Sequence, residues 1–289
     1  KNEQAFFAFR LANYAMLLQQ GRGILGNIDL KDEYKEPILD DPKRTWFPFQ
    51  LAFLLMNVQS IPIGTDYDEE GADLVDLIWF PTGGGKTEAY LGVAAFTMIY
   101  SRLLHKESKG TEVIMRYTLR LLTSQQFERA ACLIFALEYL RKKGYFKDQK
   151  IADSSVGFSA GLWVGDNLTP NRTEDAHKKL RELRSERKFS SNSFALLSCP
   201  WCKTSLENNR YSGYTSTNRS FHFRCQQPKC SFYEQELPVN VVDEMLYENP
   251  PTLLVATVDK FAQLAWLDKT SNFLGSKTGK SPALIIQDE

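Results

Sequence analysis

Residues Asp73 to Ala89 read DLVDLIWFPTGGGKTEA, and the order of residue types in this stretch decides the fold. An apolar run (Leu74, Val75, Leu77, Ile78, Trp79, Phe80) meets three consecutive glycines, then Lys86 and Thr87, then a helix-prone segment. Gly83, Gly84 and Gly85 carry no Cβ, so their backbone N–H groups can crowd around phosphate oxygens and the chain can take positive φ. The N-terminus of the following helix adds positive potential at the same spot. Lys86 supplies a mobile cation for the outer phosphates, and the Thr87 hydroxyl can ligate Mg²⁺. The stretch therefore predicts strand, phosphate-binding loop (a Walker A motif) and helix, in that order. A Gly-rich turn with a chance lysine is the plainer alternative. The apolar run before it and the adjacent Lys-Thr argue against that.

Downstream, Glu88 to Leu104 reads as a helix apolar on most sides, the signature of a helix buried beside a sheet. Val113 to Tyr117 is a short strand, and a helix from about Ser124 to Lys143 ends at Gly144. The unit from Asp73 to Tyr117 is thus expected to be a βαβ crossover, which implies a parallel sheet. Val156 to Val164 and Thr252 to Thr257 are further strand patterns. The chain closes with Ala283 to Ile286, apolar, followed by Gln287, Asp288 and Glu289. This is a Walker B pattern. Asp288 at a strand end would hold the Mg²⁺ water shell, and Glu289 would orient and deprotonate a water.

Upstream, Glu3 to Gln20 has helical periodicity, with Phe6, Phe9, Asn13, Met16 and Leu17 near one face, and Gly21-Arg22-Gly23 ends it. Trp46 to Met56 is aromatic, then helical, with Gln50 as its one polar residue. Residues 62–71 are acidic and loop-like.

Between Asp166 and Asn249 the alternation of strands and helices stops. A charged helix over Arg172 to Lys188 has Ala176, Leu180 and Leu183 as a narrow apolar face. Then come Cys199-Pro-Trp-Cys202 and Cys225-x4-Cys230. Two short-spaced pairs suit tetrahedral Zn²⁺, and four thiolates close the shell, so the metal's role would be structural. His222, in an alternating Phe221-His222-Phe223 strand, reads as a surface residue, and Cys132 as a core thiol. The net charge is zero, with 35 Lys+Arg against 35 Asp+Glu, yet from Arg172 to Cys230 there are 12 Lys/Arg against 5 Asp/Glu. The insertion is therefore basic. It reads either as a phosphate-backbone contact surface or as a solvated helix face beside a metal-stapled module.

No apolar run reaches membrane-span length, and no signal-peptide pattern opens the chain. Cysteines read as metal ligands imply a reducing cytoplasm. The start at Lys1 and the ending inside the Walker B pattern read as an excised piece of a longer protein.

The order of Pro81–Thr87, Thr118–Gln125, Thr257–Lys260 and Asp288-Glu289 resembles the first RecA-like domain of superfamily 2 helicases. Phe80 stands where the general P-loop pattern has Gly, and Val258 where the helicase T-P-x-[RK] motif has Pro. More narrowly, FPTGGGKTEAYLG, YTLRLLTSQQFERA, the CPWC pair and LLVATVDKFAQLAW resemble the helicase subunits of the DISARM anti-phage system.

The resemblance implies an α/β, RecA-like P-loop domain with a parallel sheet, an N-terminal helical segment (1–70) and a four-cysteine zinc-binding insertion (166–249). The domain itself would occupy 71–165 and 250–289. It implies an ATP-driven motor on DNA with a partner defence subunit, its second RecA-like domain and arginine finger lying outside this chain. Thr82 to Thr87 and Asp288 would bind ATP·Mg²⁺, with Lys86 and Glu289 catalytic. Gln50 would read adenine, unless it is a satisfied polar group on a packed helix. Thr118, Arg120, Gln125, Gly161, Thr257 and Lys260 would contact nucleic acid. A nucleic-acid-binding zinc module on a non-hydrolysing P-loop domain is the alternative from another class.

Overall fold

A computed structural model describes residues 2–23, 44–61, 75–77, 79, 85–105, 109–118, 120–146, 156–165, 168–185 and 192–288. Two helices lead: α1 (Glu3–Gly23) and α2 (Pro48–Ser60). Then come α3 (Lys86–Leu104), β1 (Val113–Tyr117), α4 (Arg120–Lys142) and β2 (Ala160–Trp163). The insertion follows, with α5 (Thr173–Ser185), the short turn α6 (Asn208–Tyr211), the strands β3 (Tyr214–Thr217) and β4 (Ser220–Phe223), β5 (Val239–Asn240) and α7 (Asp243–Glu248). The chain returns through β6 (Leu253–Thr257), the turn α8 (Val258–Phe261) and β7 (Leu284–Asp288).

Among the described residues the main sheet has five strands in the order β5-β2-β6-β1-β7, all parallel. Parallel sheets are covered on both faces, and side-chain alternation shows how. Val113, Met115 and Tyr117 of β1 and Leu253 and Val255 of β6 join the large core with α1, α3 and α4. Ile114, Leu254 and Ala256 point the other way, onto Trp163, Leu246, Tyr247 and Phe273. Helix α3 is buried along nearly its whole length, which its all-round apolar sequence requires.

Three differences from the sequence reading stand out. Described residues 75–77 and 79 form no strand, and Val75, Leu77 and Trp79 are 92%, 87% and 88% exposed. Their alternation marks a segment able to pair, but a strand exists only against a partner, and none of the five sheet strands pairs with it. The expected βαβ unit from Asp73 therefore lacks its first strand among the described residues. Second, α1 buries Ala8, Leu11, Ala12, Ala15 and Leu18 together with the expected Met16, and Phe9 packs on the core, while Phe6 is exposed. The small alanines let the helix approach α3 and α4 closely, so the buried face is rotated from the one that the bulky residues suggest. Third, the cysteine-bearing module is part of the large core. Trp201 stacks on Tyr139 of α4 at 4.8 Å, and Phe232 packs on Phe135 at 4.6 Å. Strand β5, placed with the insertion by sequence, completes an edge of the main sheet.

Candidate functional site

The carboxyl ends of the strands bring separate stretches together. In the ladder Asp288 of β7 lies opposite Tyr117 of β1, and Tyr117 opposite Thr257 of β6. Their neighbours two residues back, Ile286, Met115 and Val255, all lie in the large core. With a side-chain period of two, Asp288, Tyr117 and Thr257 form one cross-strand row on the face that carries α3 and α4. In open α/β sheets ligands bind at this carboxyl edge.

Helix α3 brings the loop's end to the same face. Lys86 and Thr87 open it, half-buried, and Glu88 in its first turn ion-pairs with Arg129 of α4. Burial pushes the Tyr117 hydroxyl well up; the Asp288 carboxylate and Tyr90 add to that, and Arg129 pulls against it. The electrostatics thus tie the end of β7 to residues of α3 and α4 around one buried phenol.

Gly85 is in the left-handed region, with φ of 85°, and a Cβ there would lie 2.5 Å from the Gln50 side-chain nitrogen. A glycine is required for that backbone and for that approach. Gln50 is buried; its Nε2 donates to the Gly85 carbonyl at 2.8 Å, and its Oε1 accepts from the Phe47 N–H at 2.9 Å. Of the two readings of Gln50, adenine contact or satisfied polar group, these bonds match the second: its amide ties the start of α2 to Gly85. Thr82, Gly83, Gly84 and Glu289 lie outside the described residues. The part of the site that is described fits a nucleotide and its metal: a left-handed glycine, a lysine and threonine at a helix start, and an aspartate on the facing strand end.

The six residues expected to touch nucleic acid separate. Thr118 and Gln125 are exposed, and Arg120 opens α4, four residues earlier than its sequence suggested. Gly161 is buried in β2, where a Cβ would lie 2.5 Å from Pro251 and 2.6 Å from Leu246; close packing accounts for it. Thr257 is buried, and its hydroxyl finds no hydrogen-bond partner among the described residues. Lys260 is also buried, its Nζ 2.6 Å from Asp243 Oδ2 and 3.4 Å from Asn171 Oδ1. Burial pushes the Asp243 carboxyl up and Lys260 pulls it back, while Tyr247, itself bonded by the Trp163 indole at 3.0 Å, donates to the same carboxylate. Lys260 thus pins α7 to the turn after β6 rather than facing solvent. Removing one partner of a buried ion pair costs about 3–5 kcal/mol. Lys260→Ala will therefore lower the thermal midpoint clearly, and an unchanged midpoint would show that the pair is not formed.

The metal-ligand spacing is met. The Sγ atoms of Cys199, Cys202, Cys225 and Cys230 all lie within 4.8 Å of one another, buried and unbridged by disulfides. Tetrahedral zinc–thiolate geometry separates sulfurs by about 3.8 Å. Cys202 and Cys225 are 3.5 Å apart, so the donor set fits a zinc ion. Burial pushes the Cys199 thiol up, whereas hydrogen bonds from Cys199, Cys225 and Cys230 pull Cys202 down toward thiolate. Around the cluster, Arg22 of α1 lies over the Trp201 ring at 4.7 Å. His222, read as a surface residue, is half-buried and 3.5 Å from Glu236, away from the cluster.

Sequence reasoning missed Tyr117, Arg129 and Asp243. A tyrosine closing a short strand whose first three residues are apolar was a usable sign for Tyr117. Nothing local marks Asp243, whose partner sits beyond another strand.

The fold and its sites thus define a mixed α/β protein with a parallel sheet, a Gly-Lys-Thr helix start and a buried four-cysteine centre able to hold zinc. Across 95% of its length the chain is similar to the DISARM protein DrmA of Bacillus paralicheniformis, with 35% identity over 287 residues. It spans 25% of the length of that relative. No family model matches the chain. No helix among the described residues is long and apolar enough to cross a membrane.

Proposed function

We propose that this chain is the nucleotide-binding part of an ATP-driven DNA helicase or translocase of superfamily 2, working in bacterial anti-phage defence of the DISARM kind. The observation that carries the reading is the cross-strand row ending in Asp288, on the face where Lys86 and Thr87 open α3. The likeness to the DISARM protein DrmA supports the defence role.

The residues divide the work. ATP·Mg²⁺, when bound, supplies the phosphoryl group and the metal that neutralises its charge. Gly83 to Gly85 would offer backbone N–H groups to phosphate oxygens, and Gln50 holds the Gly85 carbonyl. Lys86 places a cation beside the outer phosphates, and Thr87 and Asp288 hold the metal. Glu289 accepts a proton from the attacking water. Catalysis by such a set is mainly positioning and charge stabilisation. The four cysteines hold Zn²⁺ as a structural brace. On the nucleic-acid side the exposed Thr118 and Gln125, with Arg120 at the same helix start, carry the backbone contact. Thr257 and Lys260 shape that edge from within.

The test is ATP hydrolysis by the intact protein with single- and double-stranded DNA and RNA. DNA should stimulate turnover, and the isolated 289-residue chain should bind nucleotide weakly and barely turn over. Hydrolysis indifferent to every nucleic acid would favour a P-loop ATPase without a track. Vigorous DNA-stimulated turnover by the isolated chain would contradict the placing of the arginine finger outside it.

A further inference from the structure

Tyr117 presents a chemical problem that the nucleotide site does not explain. Its ring is buried in the large core at the end of β1, and its hydroxyl finds no hydrogen-bond partner among the described residues. An unpaired buried hydroxyl costs free energy, and a phenylalanine would fill the same space without that cost. The structure also gives this hydroxyl a place. Tyr117 pairs directly with Asp288 across the β1–β7 ladder, on the same face of the sheet. A tyrosine standing off a strand carries its oxygen several ångströms above the sheet, toward the covering helices. Here those helices supply Tyr90 and Arg129, both near enough to act electrostatically on the phenol, as Asp288 does. Arg129 is itself engaged by Glu88, the residue that follows Thr87. Tyr117 is thus cross-strand neighbour to the end of β7 and is linked through Arg129 and Glu88 to the start of α3, the two places that hold the metal and the phosphates in the proposed function.

We infer that Tyr117 is a positioning residue for the metal-binding carboxylate: when metal and nucleotide are bound, its hydroxyl donates to Asp288, directly or through one water. This rests on the nucleotide reading of the site and deepens it. A phenol is suited to the task. It donates one hydrogen bond at fixed reach from a rigid ring. It thereby restrains the carboxylate without competing for the metal. Groups that orient metal ligands from behind change metal affinity by about 10–100-fold when they are removed.

The experiment compares Tyr117→Phe and Asp288→Asn with the wild-type intact protein. Three quantities are read: the melting temperature without ligands, Mn²⁺ affinity in the presence of ADP by electron paramagnetic resonance, and the Mg²⁺ dependence of ATP hydrolysis. Tyr117→Phe should melt at the same temperature or higher without ligands, since it removes an unpaired buried group. It should bind Mn²⁺ with ADP about tenfold more weakly and need correspondingly more Mg²⁺, with kcat lowered more than the KM for ATP changes. If Tyr117→Phe keeps wild-type Mn²⁺ affinity while Asp288→Asn loses it, the role of Tyr117 is overturned and the site stands. If Asp288→Asn also keeps it, the metal site falls, and the inference with it. A drop in the ligand-free melting temperature of Tyr117→Phe would make the hydroxyl structural and overturn the inference as well.

Discussion

Stripping the metal from the intact protein will lower its melting temperature by on the order of 10 °C or more, and Cys199→Ser will do the same. The size of the effect follows from where the cluster sits. A zinc ribbon on a tether would melt alone and leave the sheet intact. Here Cys199, Cys202, Cys225 and Cys230 belong to the same core as α1, α3 and α4. Trp201, between the first two cysteines, stacks on Tyr139 and lies under the Arg22 guanidinium. Structural zinc contributes roughly 10–16 kcal/mol to small domains that depend on it, well above the usual stability of a domain. Losing the metal should therefore loosen α1 and α4 and, through them, the helix face that carries the nucleotide. Mass spectrometry under native conditions should find about one zinc per chain, as a closed four-thiolate site demands. A metal-free protein that melts at the same temperature would contradict the account of the cluster.

Lys86→Ala in the intact protein should reduce ATP hydrolysis by on the order of 10²–10³-fold or more, as removal of a charge-stabilising donor does. It should do so without a change in melting temperature, because Lys86 is half-buried at a helix start. Retained activity would exclude the site. Gln50→Ala separates the loop's bracing from its chemistry. It leaves the Gly85 carbonyl and Phe47 N–H without their side-chain partner, so its effect should fall on nucleotide affinity more than on kcat.

Much of this was legible in the chain. The apolar character of 88–104 announced a buried helix, and three strands were readable from short apolar runs ending in Tyr117, Thr257 and Asp288. The cysteine spacing announced the four-thiol cluster, because knuckle turns are local. What was not legible depended on partners distant in sequence. Lys260 reads as a nucleic-acid contact after a strand; only the fold brings Asp243 beneath it. Gly161 looked like a gap left for a ligand, and is filled by Pro251 and Leu246. The aromatic residues around the CPWC pair gave no sign that they face α4 rather than one another.

The central claim is that the glycine loop and the Asp288 strand end form one binding place. Amide hydrogen exchange of the intact protein, with and without Mg²⁺ and a non-hydrolysable ATP analogue, tests it directly. The account predicts slowed exchange together in residues 83–90 and 284–289, with little change in the β3–β4 hairpin. Protection of the loop alone, or of neither stretch, would contradict it.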